Sequence, residues 1–286
     1  MNTKQSESNI LEVFMILKIF IQRIWENKFR NILTLVIVLL PMIDLLLYLY
    51  DIIEMSGYVP IPDHAFFLTC NSNYLSFLTQ YLFLWFMPLY GLILTCDDCI
   101  EDHRLKYDCM VISRIGKKKY IHTHMMKSFI YMFSLTAIAL LLNLLLCHIL
   151  FQNGVFNTYG EDFNTDVFYQ WEKNHPLLTN LLFISITSFF SGLIAVVGVM
   201  SSILFKNKRM IYGITMMMWI VPTLQEKSLM LLFQPHSEYV LNTLIPIGVK
   251  TAGIYIVYII VIYGKEIIFE KKMAENFCNF NSRFLR

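Results

Sequence analysis

The side chains with the clearest potential for chemistry are Cys96 and Cys99, in the spacing Cys-x-x-Cys, followed by His103 and Cys109. Thiolate and imidazole groups at such spacings are typical zinc ligands. A second pair of ligands at a regular spacing is missing, and the alternative interpretation is that these are ordinary buried or interfacial thiols. We therefore predict no metal site in this segment.

No motif of a self-sufficient active site occurs in the sequence. There is no GxxxxGK phosphate loop followed by Ser or Thr, no HExxH zinc helix, no GxSxG nucleophile elbow and no Rossmann glycine fingerprint. We expect that the chain is not an enzyme and holds no cofactor of its own. A formal net charge of +2 is too small to indicate nucleic acid as the main partner.

The composition indicates that the chain is built from membrane-spanning helices. Hydrophobic residues make up 56% of its 286 residues and charged residues 15%, against about 25% charged residues in a typical soluble domain. Apolar runs of about 20 residues are long enough to cross about 30 Å of hydrocarbon as helices. The sequence predicts an all-α polytopic membrane protein with six transmembrane spans. These spans are 31–50, 76–97, 128–151, 179–204, 210–223 and 247–264.

The residues before the first span are predicted to form a separate amphipathic helix. Over 10–30, charged residues interrupt the apolar ones every few positions, which is typical of a helix that lies in the membrane interface. A seventh span in this segment is the alternative. We assign 1–30 as a cytoplasmic or interfacial N-terminal helix, 31–264 as the transmembrane domain and 265–286 as a cytoplasmic tail.

The distribution of Lys and Arg predicts the orientation of the spans. If six spans place both termini on one side, that side receives 20 of the 23 Lys and Arg residues, and the other side receives Lys173, Lys227 and Lys250. Positive residues accumulate in cytoplasmic loops. We therefore predict a multi-pass protein of the plasma membrane with both termini in the cytoplasm.

One of the predicted outer loops has an unusual composition. The outer loops are 51–75, 152–178 and 224–246, and the last is too apolar for an ordinary water-exposed turn. Irregular backbone at membrane depth is tolerated where protein covers it. The sequence predicts a re-entrant pair of short helices between spans five and six, with its turn near 234–236.

Asp44 is an ionisable residue inside the first predicted span, three residues after Pro41. A carboxylate in hydrocarbon is costly, so it is expected to face protein, water or a cation. One interpretation is a substrate or gating contact. The other is a hydrogen bond to a polar residue of another helix, or proximity to the outer interface.

The loop 98–127, between spans two and three, begins with acidic residues and ends with basic ones, with a short apolar patch between them. This pattern predicts an amphipathic helix, a turn at Gly116, where glycine tolerates left-handed backbone angles, and a second helix that leads into span three. Such a projection is larger than a turn requires. We interpret it as a docking surface for a cytoplasmic partner, and the alternative is that its Lys and Arg residues only anchor the topology.

In this loop the sequence resembles the permease subunits of ABC-2 type transporters. In that family an acidic residue after span two precedes an apolar helix and a motif with Ser or Thr, Arg, Pro, a basic residue and Tyr, which leads into span three. This chain has Ser113 and Arg114 at the start of the motif, and Ile115 where the family has Pro. By resemblance, the residues that couple to an ATPase are Glu101, Arg114, Gly116, Lys117, Lys118, Lys119 and Tyr120.

The resemblance implies both an assembly and a transport path. Segment 98–120 would be the coupling helix in a cleft of a separate ABC ATP-binding subunit, and the N-terminal helix would be the connecting helix. Two permease chains and two ATP-binding subunits would form the working unit, with ATP and magnesium bound on the partner subunits. The path residues that we predict are Asp44, Trp85 and Pro222.

The apolar, aromatic-rich spans favour a lipophilic or amphipathic substrate over a small ion. The family resemblance implies export of a peptide, drug or lipid-like molecule from the cytoplasm or membrane, and resistance to an antimicrobial peptide is a hypothesis for the setting. The alternative function is a non-transporting membrane sensor or immunity protein that binds a peptide or a partner.

Overall fold

The described part of the chain is helical and contains no β-strand, which confirms the predicted all-α class. The computed structural model describes residues 26–56, 59–69, 74–154, 167–236 and 241–284. The N-terminal helix predicted over 10–30 lies almost entirely outside these residues.

Ten α-helices occur in the described residues, numbered here in chain order. They are α1 (Lys28–Asp51), α2 (Tyr74–Trp85), α3 (Met87–Gly91), α4 (Asp97–Arg104), α5 (Tyr107–Ile115), α6 (Lys117–Leu150), α7 (Val167–Asn174), α8 (Pro176–Leu204), α9 (Lys208–Thr223) and α10 (Leu241–Phe284). One π-helical turn follows α1 (Ile52–Ser56) and another joins α3 to α4 (Leu92–Cys96). Two 3-10 helices lie at Phe67–Thr69 and Leu229–Phe233.

Several of these helices have the length and composition of membrane spans. Four qualify individually: Lys28–Glu54, Lys117–Leu150, Pro176–Leu204 and Leu241–Ile268. A fifth candidate is the pair Phe77–Trp85 and Met87–Arg104, which bends by 47°. The helix α9 has 16 residues and is about 24 Å long, less than the roughly 30 Å hydrocarbon layer. The coarse architecture is confirmed, and the count of six spans stays a prediction.

The helix α8 is the centre of the bundle. It packs against α6, α9, α10 and α3, and most of its residues are buried. Its small residues let other helices approach closely. A Cβ atom at Gly192 would lie 2.7 Å from Cδ2 of Phe129, and one at Gly198 would lie 2.8 Å from Sγ of Cys96. A helix that is apolar on all sides is expected in such a central position.

The second predicted span, 76–97, is not one straight helix. It breaks at Phe86, and Pro88 occupies the start of α3, where proline needs no backbone N–H donor. A π-helical turn then precedes α4. The predicted span over 76–97 is thus a bent pair of helices, and whether this pair crosses the membrane stays a prediction.

The segment 61–69 is inserted into the bundle, whereas the sequence predicted an outer loop over 51–75. Phe66 and Phe67 are about 1% exposed. Asn143 of α6 accepts a hydrogen bond from the backbone N–H of Phe67 (3.0 Å) and donates one to the backbone oxygen of Pro41 in α1 (2.7 Å). The buried amide thereby joins the backbone of the inserted loop to the backbone of α1, and it gives a loop N–H inside the bundle a hydrogen-bond partner.

The loop after α9 also packs onto the bundle. Leu229, Leu232 and Phe233 are buried within its 3-10 helix. The sequence predicted a pair of short helices with a turn near 234–236. In the described residues this loop contains one short helix, and 237–240 lie outside them.

Two helices extend beyond the predicted span limits. The helix α6 begins at Lys117, eleven residues before the predicted span 128–151. The helix α10 has 44 residues, which corresponds to about 66 Å, roughly twice the hydrocarbon thickness. The segment predicted as a tail, 265–286, is therefore a continuation of the last helix through Phe284.

Candidate functional site

The helices α4 and α5 form a projection at one end of the bundle, which we call the charged end. The first link between projection and bundle is a buried ion pair between Arg30 of α1 and Asp98 of α4. The Arg30 Nη1 and Asp98 Oδ1 atoms are 2.6 Å apart, and the two side chains are 7% and 6% exposed. The start of α1 is therefore fixed to the base of the projection.

The neighbouring carboxylate, Asp97, links the projection to α9. Its Oδ2 atom accepts a hydrogen bond from Lys208 Nζ (2.9 Å), and its Oδ1 atom accepts one from the hydroxyl of Tyr212 (2.8 Å). Lys208 is 57% exposed, so this pair is far more solvated than the one at Asp98. The consecutive residues Asp97 and Asp98 therefore connect the projection to two different helices, α9 and α1.

The projection has a defined internal turn. Lys106, between α4 and α5, has a left-handed backbone with φ +57°. Nδ1 of His103 lies 2.6 Å from Oδ2 of Asp108, which bridges the two helices. Gly116 ends α5 with φ +82°, so the turn predicted there is present. The order of helix, turn and long helix agrees with the sequence pattern.

The outer side of the projection carries exposed apolar and basic residues. Leu105, Tyr107 and Met110 are 68%, 43% and 60% exposed, and Arg114 of α5 and Lys118 at the start of α6 are also exposed. We call these five residues the docking face. Exposed apolar side chains rimmed by charge are typical of protein interaction surfaces.

The residues that the resemblance assigned to ATPase coupling fall into two groups. The exposed group consists of Glu101, Arg114, Gly116, Lys118 and Lys119. The other two contact the bundle: Lys117 forms an ion pair with Glu266 of α10, and Tyr120 is buried with its ring 4.4 Å from that of His124. The second group positions the start of α6 and is not available to a partner surface.

Two cavities flank the projection. One of about 800 Å³ is bordered by both cations and acids, among them Arg30, Arg104, Lys206, Asp97 and Glu101. The second, of about 470 Å³, lies between the projection, α6, α8 and α10. Opposite charges therefore face each other across the larger cavity, at the junction of α1, the projection and the start of α9.

The candidate metal ligands do not converge on one point. Cys96 is fully buried with Sγ 3.8 Å from the backbone oxygen of Ala195. Cys99 Sγ lies 3.0 Å from Nδ1 of His124, and His103 contacts Asp108. Among the described residues no group of three or more His, Cys, Asp or Glu side chains has an arrangement that could hold a metal ion.

The three predicted path residues lie in different surroundings. Asp44 is 6% exposed, and its Oδ1 atom accepts a hydrogen bond from the hydroxyl of Thr79 in α2 (2.6 Å). Trp85 is partly buried at the end of α2, with its ring against Tyr81. Pro222 borders a groove between α9 and α10. Their role in transport stays a prediction.

One bacterial protein aligns with most of this chain. It is YybM of Bacillus subtilis (strain 168), an uncharacterized protein, and it is 35% identical over 258 residues, which cover 90% of this chain and 98% of that one. The chain belongs to the YybM family. No protein-family model matches the chain, and no solved structure matches it.

The opposite end of this YybM-family bundle holds a polar cluster that the sequence did not predict. Asp63, from the inserted segment, accepts a hydrogen bond from Asn180 of α8 (3.0 Å) and lies 3.8 Å from Nε2 of His148. The rings of His64 and His236 stack at 5.4 Å. The apolar stretch around residues 65–68 was the available signal that this segment enters the bundle.

Two groups near this cluster have strongly shifted pKa values. Burial raises the pKa of Glu172, in α7, from 4.5 to about 7, although a backbone hydrogen bond from His236 opposes the shift. Burial, together with the neighbouring His64, lowers the pKa of His236 from 6.5 to about 4. Both pKa shifts are in the direction that favours the uncharged form, as expected for ionisable side chains removed from water.

Proposed function

We propose that this chain is the permease subunit of an ATP-driven exporter of the ABC-2 type. The observation that carries the proposal is the docking face, which presents exposed apolar and basic side chains on the α4–α5 projection and at the start of α6. A projection that served only to anchor the topology would need its cations but not the exposed Leu105, Tyr107 and Met110.

The connections of the projection support a role in transmitting force. The Arg30–Asp98 pair links it to α1, Asp97 links it to α9, and Lys117 links the start of α6 to α10. A displacement of the projection would therefore act on four helices. Chains of ion pairs and hydrogen bonds of this kind can carry coupling between distant elements.

In the proposed assembly, the charged end faces the cytoplasm of the cell, and both termini lie there. Two copies of the chain form a homodimer, and each receives one ABC ATP-binding subunit, which holds the ATP and magnesium. ATP binding by the partner subunits moves the two projections and reorients the helices around a path for a lipophilic or amphipathic substrate. The partner subunits carry out the hydrolysis, so this chain is not an enzyme.

A pull-down with charge-reversed variants tests the proposal. The tagged chain is recovered from native membranes in mild detergent, and the eluate is examined for an ATP-binding subunit and for ATPase activity. The test variant is Arg114→Glu with Lys118→Glu, since both side chains are exposed. Lys117 is left unchanged because its pair with Glu266 belongs to the bundle. The control is Arg209→Glu, an exposed cation at the same end but outside the docking face.

Each outcome has a distinct meaning. We expect an ATP-binding subunit with the native chain and with Arg209→Glu, and its loss with the double variant. Recovery of the native chain without any ATP-binding subunit would contradict the exporter proposal and favour a sensor or immunity protein. Retention of the ATP-binding subunit by the double variant would be compatible with an exporter, but it would refute the proposal that this subunit binds at the docking face.

A further inference from the structure

An apolar groove runs between α9 and α10. Its volume is about 470 Å³, and its lining includes Met210, Gly213, Met217, Val221, Lys250 and Ile254. This volume is in the range of pockets that hold small molecules in proteins.

The groove opens outward from the bundle. Met217, Val221 and Ile254 are 63%, 53% and 44% exposed, on helices whose other exposed residues are also largely apolar. A Cβ atom at Gly213 would meet nothing within 4 Å, so the absence of a side chain there leaves the groove open. Methionine side chains adapt to flexible apolar ligands because they are unbranched and polarizable.

One end of the groove is polar and positively charged. Nζ of Lys250 donates a hydrogen bond to Oε1 of Gln225 at 3.0 Å. The acceptor is a neutral amide, so the positive charge of Lys250 stays available to an anion. Lys250 also lies within a helix long and apolar enough to span a membrane, where a charged residue is costly and is expected to have a functional partner.

The groove therefore combines an apolar channel with a single cation at the end of α9 that is farther from the charged end. From Met210 to Pro222 the channel is about 18 Å long along α9. A ligand that matches both features has a long hydrocarbon chain and one anionic head group. Because the apolar lining faces outward along membrane-length helices, the surrounding bilayer is the direct source of such a ligand.

We propose that this groove binds an anionic membrane phospholipid, with one acyl chain along α9 and α10 and the phosphate at Lys250 and Gln225. The lipid stabilises the pair formed by the short helix α9 and α10 and neutralises Lys250. This proposal does not depend on the exporter function, because it concerns a lipid bound to the outward-facing surface of one chain.

Native mass spectrometry of the purified chain tests the acyl part of the site. The chain in detergent is titrated with phosphatidylglycerol, which is anionic, or with phosphatidylcholine, which has no net charge. In the variant Gly213→Phe a ring fills the groove. The matched control is Gly264→Phe in α10, because a Cβ atom there also meets nothing within 4 Å and the residue does not line the groove. We expect Gly213→Phe to lose the bound phosphatidylglycerol and Gly264→Phe to retain it.

A second pair of variants tests the head-group part. Removal of one cation near the membrane surface costs about 1 kcal/mol of attraction to an anionic lipid, or about fivefold in affinity. We expect Lys250→Gln to lower the preference for phosphatidylglycerol over phosphatidylcholine about fivefold, and the control Lys227→Gln to leave it unchanged. Lys227 is an exposed cation at the same end outside the groove.

Three results would overturn the proposal. In the first, Gly213→Phe retains as much phosphatidylglycerol as Gly264→Phe. In the second, the native chain binds the two lipids equally. In the third, Gly213→Phe converts a dimer to a monomer while the number of bound lipids stays the same, which would make the groove a contact between two copies of the chain. Size-exclusion profiles of all variants establish that each is folded.

Discussion

The buried ion pair between Arg30 and Asp98 predicts a large and specific loss of stability when its cation is removed. The substitution is Arg30→Met, which keeps a long apolar stem and deletes the charge. The Asp98 carboxylate, 6% exposed, then has no cation at 2.6 Å. Its other oxygen, Oδ2, has no hydrogen-bond partner in the described part of the chain.

The expected loss in the free energy of unfolding follows from the burial of both side chains of the ion pair. Removal of one partner of a buried ion pair leaves an uncompensated charge and costs about 3 to 5 kcal/mol. The neighbouring pair, Lys208 with Asp97, is the internal reference because its lysine is 57% exposed. A solvent-exposed pair contributes about 0.2 to 1 kcal/mol, so Lys208→Met should cost no more than about 1 kcal/mol.

The assay is equilibrium unfolding in mixed micelles, with increasing sodium dodecyl sulfate. The variants are Arg30→Met, Lys208→Met and the double variant Arg30→Met with Asp98→Asn. We expect the double variant to regain much of the stability that Arg30→Met loses, because no buried charge is left unpaired. Equal, small losses for Arg30→Met and Lys208→Met would refute the conclusion that the Arg30–Asp98 pair is desolvated and fixes the projection.

Three further predictions concern other parts of the bundle. The raised pKa of Glu172 means that the folded state binds its proton more tightly than the unfolded state does. This contribution to stability is present below pH 4.5 and is lost as pH rises to about 7. Glu172→Gln should remove this pH dependence of the melting temperature and be more stable than the native chain at pH 8, and an unchanged pH dependence would contradict the raised pKa. Gly198→Ala should lower the free energy of unfolding by about 1 to 3 kcal/mol, because the added Cβ would collide with its close neighbours. Gly213→Ala adds a Cβ in open space, so it should leave the free energy of unfolding unchanged or raise it by up to about 1 kcal/mol. Equal effects of the two variants in the same unfolding assay would argue against close packing of α8. Asn143→Leu removes one hydrogen bond to the inserted segment, from the backbone N–H of Phe67, and one to Pro41 of α1, at a cost of about 1 to 2 kcal/mol. It should increase maleimide labelling of a Thr69→Cys reporter. Equal labelling in both backgrounds would show that the segment is held by other contacts.

Long apolar segments are the part of the fold that the sequence predicts well. Runs of hydrophobic residues over 31–50, 128–151 and 179–204 correspond to α1, α6 and α8, because burial in hydrocarbon requires about 20 apolar residues in a helix. The turn at Gly116 is also predictable, since glycine reaches positive φ without steric cost. These signals are local and need no knowledge of neighbouring helices.

Features that depend on contacts between distant residues were not predictable in the same way. The inserted segment 61–69 contacts Asn143, which is 76 residues away from Phe67 in the sequence. The ion pair of Arg30 with Asp98 joins residues that are 68 positions apart. The hydropathy of a segment reports how apolar it is and not which polar group will supply its hydrogen bonds.

For the predicted coupling residues, too, the sequence identified the segment but not the contacts that its residues make with distant parts of the chain. The charge pattern identified the segment that contains Arg114, Gly116 and Lys118, all of which are exposed at the end of α5 and the start of α6. It could not show that Lys117 belongs to the bundle, because Glu266, its partner, lies on a helix 149 residues later in the chain. Exposure separates residues that can meet a partner from those that hold the projection in place.

Site-specific photo-cross-linking from the docking face is the most direct test of the proposal that this projection receives an ATP-binding subunit. A benzophenone amino acid is placed at Met110, which is 60% exposed on the projection, and in a control at Val167, which is 82% exposed on α7. After irradiation of native membranes, we expect a cross-link from Met110 to an ABC ATP-binding subunit and none from Val167. Cross-links from Met110 to lipid alone, or to an ATP-binding subunit from both positions equally, would contradict the docking of that subunit on the projection.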